Sequence, residues 1–498
     1  MAIHIAPTLL ALVTVGVFFP STVTSSVLQK LAAVDTCLTT AGVPTYASGS
    51  ADFTQAIKPF NLRLPFTPVA LAVPSTVAHV QAAVSCAASL GITVSAKSGG
   101  HSYASHGIGG ENGHLIVDML YFNNITVDKS SSTAMVGTGA RLGNVATALY
   151  NQGGQAISHG TCPGVGVGGL ALHGGYGFSS HTHGLTLDGI LEATVVLANS
   201  TVVTASATQN PDLFWALRGA GASFGIVTNF KFQTFTAPSP NIVFTYMFSF
   251  GSQQQAVSAI SAIQTYTRST MPTELNMRFT INPYSTTLSG VYYGSQAAFT
   301  AAIQPLLSTM PAPLYNTVQS MGWLDTLTAY SNGALATTLN YDYHETFFAK
   351  SLMPSELSDA AITAFVAYWF NTAKSNTRDW YVMMDLHGGA GSAISKVAAD
   401  ATSYAHRDAI FKFQFYDRVD SGTYPSNGFP FLNGWVGSIT SAMPNTTFGM
   451  YINYADSSLT ADQAHTAYWL DHYPKLTTIK MAYDPKKVFS NPQAILST

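Results

Sequence analysis

Charge is what this chain lacks. Of its 498 residues only 21 are Lys or Arg and 24 are Asp or Glu, 9% in all, and the formal net charge is −3. A nucleic-acid-binding surface needs a basic face, which this balance does not supply. Long runs of like charge, internal repeats and low-complexity linkers are missing as well. With 47% hydrophobic residues the chain is not disordered. Its surface must therefore be carried by Ser, Thr, Asn, Gln and Tyr rather than by Lys and Glu, as in exported proteins. The length suggests about two to four domain-sized units.

A membrane span is also lacking. The apolar stretch from Ala6 to Phe19 falls short of the roughly 20 residues that a spanning helix needs. Followed by Pro20 and small residues, it reads as a signal peptide over residues 1–25, although no Lys or Arg precedes Lys30. Sequons at Asn124, Asn199 and Asn445 fit export. We therefore expect a secreted protein with no membrane attachment after cleavage.

Cysteine is scarce, and its number is odd. Three cysteines in an oxidising compartment leave one unpaired. Cys37 and Cys86 lie in helix-like amphipathic stretches where a bridge is plausible. Cys162 lies in HGTCPGVGVGGLALHGGYGF, a loop rich in glycine. An inert buried thiol is one reading of Cys162; a Cys–His nucleophilic pair is another, though that scheme wants the cysteine opening a helix and Pro163 follows here.

Glycine is what the chain has in quantity at two places. SAKSGGHSYASHGIGG, Ser95 to Gly110, sets His101 in a loop able to pass close to a flat or charged ligand. Upstream, PVALAVP, a helix through STVAHVQAAVSCAASLG and ITVSAKSGG form a β-α-β pattern, so the loop leaves a strand's carboxyl end, where α/β folds bind ligands. Strand patterns follow at HLIVDML, TAMVGTGA, ATVVLANSTVVTA and FGIVTNFKFQTF. Beyond Pro240 the texture changes to alternating strands, NIVFTYMFSF, NMRFTINPYS, TLSGVYYG and KFQFYDRV, interleaved with helices. A strand GMYINYA and one helix over ADQAHTAYWLDHYPKLTTIKMAY close the chain. His173, His181 and His183 fall close together, but glycines separate them and no metal-ligand spacing is completed, so no metal is expected.

GGHSY, GTCPGVGVGG, NPDLFWALRGAGASFGIVTNF, YINYAD and the terminal YDPKKVFSNPQ, in this order, resemble the berberine-bridge-enzyme-like branch of the vanillyl-alcohol-oxidase flavoproteins. The resemblance spans nearly the whole mature chain. Within the branch it is most similar to the fungal gluco- and chitooligosaccharide oxidases, which share HGTCP and SYAHRD. It implies an α+β fold: a two-subdomain PCMH-type FAD-binding domain over 26–238, a substrate domain over 239–445 with an antiparallel sheet covered by helices, and a segment 446–498 returning to the first domain. It implies FAD linked covalently through His101 and Cys162. The flavin would lie against Ser98, Gly99, Gly100, Ser102, Tyr103 and Gly107, then Val165, Gly166, Gly168, Gly169, Gly175 and Gly177, then Ile226 and Asn453, with Val165 as a gate for oxygen.

The same resemblance makes Tyr454 the base for a sugar hydroxyl, with Asp385 of VMMDLHGG assisting it. A phenol is a poor base near neutral pH unless its proton can move to a carboxylate or its anion is stabilised. Sugar rings stack on aromatic faces and their hydroxyls need polar partners, which suggests Tyr103, Tyr381 and Gln414. The chain departs from the gluco-oligosaccharide pattern at Thr280 and Met383, where an acidic residue and a glutamine are expected. The reading is a monomeric oxidase converting the C1 hydroxyl of reducing mono- or oligosaccharides to a lactone, with O2 reduced to hydrogen peroxide. A flavin oxidase of a non-sugar alcohol or secondary metabolite, and a non-catalytic binding protein, are the alternatives.

Overall fold

The computed structural model describes residues 21–331, 333–339 and 341–496. The proposed leader therefore lies outside the described residues up to position 20. Among the described residues, strands form sheets of three, five and seven, plus a two-stranded ribbon, and no helix is long and apolar enough to cross a membrane.

The three-stranded sheet is parallel, with Leu115–Asp118 between Ala70–Ala72 and Val94–Lys97. The first two strands of the expected β-α-β unit are thus not neighbours, because the third inserts between them. The helix joining them, Val77–Leu90, starts at Thr76, whose side chain accepts the His79 amide, and stops at Gly91 with φ 62°. Its apolar face shares a core with Val34 and Leu38 of the helix Ser21–Thr40. A disulfide, Cys37 to Cys86, ties the two helices together.

The five-stranded sheet is antiparallel, ordered Ile125–Asp128, Thr133–Gly137, Ile226–Gln233, Ile190–Val196, Val202–Ser206. ATVVLANSTVVTA is therefore a hairpin rather than one strand, turning at Ser200, where φ is 66°. Asn124, Asn199 and Asn445 are all exposed.

The seven-stranded antiparallel sheet is built from residues 241–419. Strict alternation divides its two faces. Met277, Phe279 and Ile281, then Trp380, Val382 and Met384, then Phe411, Phe413 and Phe415 pack on the helices Gln253–Ser269, Gln296–Leu307, Asp359–Tyr368 and Gly428–Ser441. The intervening residues face the other way, toward the two glycine loops.

The carboxyl-terminal part departs from expectation twice. GMYINYA is not a strand; Ile452–Tyr454 is a 3₁₀ turn. Tyr451 is drawn to the first domain, its Oη accepting the amides of Gly175 (2.9 Å) and Tyr176 (3.2 Å). Nor is 461–483 one helix: Ala461–Trp469 and Tyr473–Tyr483 are separated at Leu470, φ 47°, ahead of Pro474 at the start of the second. Both helices join the core of the five-stranded unit. The tail then reaches the parallel sheet, where Val94 donates to Val488 O at 2.7 Å.

A buried ion pair fixes this tail. Lys480 Nζ donates to Asp484 (2.6 Å), to Ser223 O (2.6 Å) and to Phe489 O (2.7 Å), and Asp484 accepts the amides of Val488 and Phe489. Both side chains are 0% exposed. Removing one partner strands the other's charge, at a cost of about 3–5 kcal/mol. Lys480→Met should therefore lower the melting temperature by several degrees; a thermal melt superimposable on the parent's would show that the pair does not hold the tail.

Candidate active site

The two glycine loops cross in direct contact. A Cβ placed on Gly99 would lie 2.2 Å from Gly166 N, and one on Gly166 would lie 2.1 Å from Gly99 N. No side chain fits at either position. Arg141 fastens the crossing, its Nη1 donating to Gly99 O (2.9 Å) and Gly164 O (2.5 Å). Ser98 Oγ adds a bond to Thr138 O at 2.6 Å.

Beside the crossing opens a cavity of about 410 Å³. Of the residues expected on the cofactor, Ser98, Gly99, Gly100, His101, Ser102, Tyr103 and Gly107 line it from the first loop, and Cys162, Val165, Gly166, Gly168 and Gly169 from the second. Asn453 joins them; its Nδ2 donates to Tyr451 Oη (3.0 Å) and Leu170 O (3.3 Å). Three expected residues do not line the cavity. Gly177 is a packing glycine whose added Cβ would meet His159 O at 1.9 Å. Gly175 lies against Thr186, and Ile226 is buried in the core beneath the parallel sheet.

His101 stacks on Phe60, ring centroids 4.3 Å apart, and its Nε2 is buried without a hydrogen-bond partner. Burial first, then Arg141 and His344, push its pKa down to about 3. The imidazole is neutral. Cys162 is free, and burial pushes its pKa up against the backbone amides of Gly164 and Val165 and the Tyr341 hydroxyl. Of the other histidines, His173 Nδ1 bonds Gly169 O (2.8 Å), His181 is buried and His183 stacks on Phe235 at 3.7 Å.

The opposite wall comes from the seven-stranded sheet. Register places Arg278 opposite Asp385 and Asp385 opposite Lys412. These three form a row: Arg278 Nε lies 2.6 Å and Lys412 Nζ 2.5 Å from the Asp385 carboxylate, and Asp385 and Lys412 are 0% exposed. Burial alone would raise the Asp385 pKa, but Arg278 and Lys412 outweigh it and hold the carboxyl below its usual range. Burial would likewise strip the proton from Lys412, yet Asp385 and the phenols of Tyr454 and Tyr451 hold it on.

Tyr454 is reached through Lys412, whose Nζ donates to its Oη at 3.1 Å and sits 4.3 Å from its ring centroid. This corrects the expected pairing: Asp385 does not bond Tyr454, because the lysine stands between them. The turn carrying Tyr454 is pinned by Tyr451 N to Ser351 Oγ (2.8 Å) and by the Lys350–Asp456 ion pair.

The next rows contain the expected substrate residues. Gln414 Nε2 donates to Tyr103 Oη (2.8 Å) and Tyr381 Oη (3.4 Å). Tyr103 stacks on Tyr454 at 5.5 Å, and Tyr381 on Tyr416 at 4.8 Å. Met383, opposite Gln414, lines the cavity; Thr280, opposite Met383, does not. Lys412, Arg278, Arg141 and Tyr341 escape the sequence reading. For the first two a signal exists, since each cation interrupts a strand otherwise apolar in alternation, and buried cations imply a partner.

A matching domain is found over most of the first half of the chain. A family model described as FAD binding domain matches residues 68–206. A second, described as berberine and berberine like, matches 450–496. The xylooligosaccharide oxidase of Thermothelomyces thermophilus is 47% identical over 478 residues, 95% of this chain and 96% of that one. The chain belongs to the berberine-bridge-like FAD-linked oxidoreductases. Another member, the chitooligosaccharide oxidase of Gibberella zeae, is 44% identical over 95% of this chain and 96% of its own. Among solved structures, xylooligosaccharide oxidase from Myceliophthora thermophila C1 in complex with xylobiose superposes with a TM-score of 0.91 at 45% identity, covering 94% of this chain and 99% of that one. A structure of Acremonium strictum glucooligosaccharide oxidase, with a 6-S-cysteinyl, 8α-N1-histidyl FAD, gives 0.90 at 40% identity, covering 94% and 99%.

The residues present fit the family's FAD. The side-chain-free crossing and Gly169, where a Cβ would meet nothing within 4 Å, leave room for a flat ligand against backbone, and His101 and Cys162 line the same cavity. Gly166→Ala should force the loops apart and yield protein that purifies with little bound flavin, read from its visible absorbance. A variant as yellow as the parent would show that the crossing does not shape the cavity.

Proposed function

We propose that this family member is a secreted oxidase of reducing mono- or oligosaccharides, acting on the C1 hydroxyl, with FAD bonded to both His101 and Cys162 and O2 as acceptor. The observation that carries the reading is the row Arg278, Asp385, Lys412, Tyr454, of which Arg278 and Tyr454 line the cavity that His101 and Cys162 also line, while Asp385 and Lys412 stand buried behind them. The similarity to xylo- and chitooligosaccharide oxidases over nearly the whole length supports the sugar as substrate class.

Bound FAD supplies the hydride acceptor and passes the electrons to dioxygen. The chain's own residues supply the rest. Tyr454 Oη, having given its own proton to solvent, takes the proton of the sugar hydroxyl as a phenolate and becomes the neutral phenol. Lys412, 3.1 Å away and held as an ammonium, stabilises the phenolate. Asp385 stays ionised between its two cations, so it anchors Lys412 rather than accepting the proton. Tyr103, Tyr381 and Tyr416 offer aromatic faces to the ring, and Gln414 presents its amide to hydroxyls. Met383 gives the wall an apolar spot where a hydroxyl gains no partner. The protein acts without a metal, a membrane or nucleic acid, and as a monomer.

Tyr454→Phe keeps the ring and removes the acceptor, so the rate of flavin reduction should fall about 10²- to 10⁴-fold with sugar affinity little changed. Lys412→Met should cause a comparable fall, and the double variant little more, because the two act as one unit. Anaerobic stopped-flow reduction by a panel of reducing sugars measures this. Reduction of Tyr454→Phe within a few-fold of the parent would place the base elsewhere, and a parent that no sugar reduces would point to another alcohol.

A further inference from the structure

Cys162 is the free thiol among the described cysteines, and burial holds its proton on. A thiol must become a thiolate before its sulfur can bond to carbon. The groups gathered around it take no part in the row that faces the sugar. The Gly164 and Val165 backbone and the Tyr341 hydroxyl favour the Cys162 thiolate against burial and the nearby Glu345, and Val165 N donates to Cys162 O at 3.3 Å.

Tyr341 arrives from the substrate-domain segment between the strands Tyr315–Met321 and Thr346–Leu352. Its ring lies so close to Gly164 that a Cβ there would be 2.2 Å from Cζ. The Arg141 guanidinium sits 4.9 Å from the ring centroid while its Nη1 holds both loops by their carbonyls. The His101 ring, with its unpartnered Nε2, is 5.7 Å from Tyr341. Neither Tyr341 nor Arg141 lines the cavity. A phenol donor and a fixed cation beside a buried thiol, yet off the cavity wall, serve the sulfur rather than the substrate.

We propose that Tyr341 activates Cys162 for its own bond to the flavin: its hydroxyl, with the Gly164 and Val165 amides, holds the sulfur as a thiolate, and Arg141 supplies the countercharge. This rests on the reading that Cys162 carries flavin. The thiol proton leaves to solvent past the half-buried Tyr341. The sulfur then bonds to a flavin ring carbon, that carbon's hydrogen leaves as a proton, and the flavin keeps the electron pair. Dioxygen takes the two electrons and two protons as hydrogen peroxide. In sum, thiol, oxidised flavin and dioxygen give thioether-linked oxidised flavin and hydrogen peroxide.

The test uses the holoprotein carrying His101→Ala, where Cys162 is the remaining link. Protein is held under air, sampled over time, denatured in acid, and scored for flavin left on the chain by intact mass. His101→Ala should retain its flavin. Adding Tyr341→Phe should slow linkage at about pH 7 by about tenfold to a hundredfold, the worth of one hydrogen bond to a charged group. Linkage should recover as the pH is raised above the ordinary thiol range, because burial lifts the Cys162 pKa and base then removes the proton unaided. In a Cys162→Ala background, Tyr341→Phe should leave the His101 link complete. Equal linkage rates with and without Tyr341→Phe, or a rate deficit that pH does not repair, would overturn the proposal. So would an equal loss of the His101 link, which would make Tyr341 a shaping residue. Release of all flavin from His101→Ala itself would instead overturn the Cys162 link, and the proposal with it.

Discussion

Two backbones touching at Gly99 and Gly166 set the rest of the site. Because a Cβ on either would fall 2.1 to 2.2 Å from the other's nitrogen, the loops carrying His101 and Cys162 meet in one way only. Arg141 then locks that meeting by bonding a carbonyl from each loop. The two nucleophiles come from distant parts of the sequence, yet the crossing places them on one cavity. It also leaves Gly169 open and Val165 at the wall, so the ligand is met largely by main chain on this side. A contact of that kind tolerates no gradual change, since the smallest added side chain is already too large.

The other wall obeys a different constraint, the two-residue period of the sheet. Every residue of the seven-stranded sheet that reaches the site is separated by one position from a residue in the helix-covered core. A register slip of one would send Arg278, Asp385 and Lys412 into that core and Phe279, Met384 and Phe413 toward the flavin loops. Burying three charges is tolerable only as a set. The carboxylate lies within hydrogen-bond reach of both cations, and the excess positive charge is met by phenol oxygens and ring faces. Loss of any member leaves a buried charge without its partner.

How much of this was legible follows from the kind of interaction. The glycine loops, His101, Cys162 and the helix positions of Cys37 and Cys86 are local patterns, and the sequence displays them directly. So are four alternating strands beyond Pro240, whereas Tyr315–Met321, Asp379–Leu386 and Thr346–Leu352 are not read as strands, the last because all its residues are buried and it shows no alternation. Tertiary pull explains the failures. YINY has strand propensity, but Tyr451 is held by amides of the first domain and the chain turns. Asp385 and Tyr454 were identified by resemblance, whereas the lysine joining them is visible only in cross-strand register. Tyr341 had no signal at all: its partner is set by where a loop of one domain lands on the other.

A chain so poor in charge concentrates buried cations at its chemistry. Arg278 and Lys412 stand behind a phenol whose anion takes the alcohol's proton; Arg141 stands near a thiol that must become an anion to bond carbon. Burial favours the neutral form of Cys162, Tyr454 is half-buried, and a fixed cation stands near each: Lys412 3.1 Å from Tyr454 Oη, and Arg141 against the ring of Tyr341 beside the thiol. A low-dielectric setting makes each such cation more effective than it would be in water, because no solvent need reorganise as the charge appears. The Lys412 ammonium is kept charged by Asp385, and the Arg141 guanidinium is kept in place by the two loop carbonyls. The carboxylate and the carbonyls thus act one step removed: Asp385 holds the lysine that bonds Tyr454 Oη, and the loop carbonyls hold the arginine that lies against the Tyr341 ring.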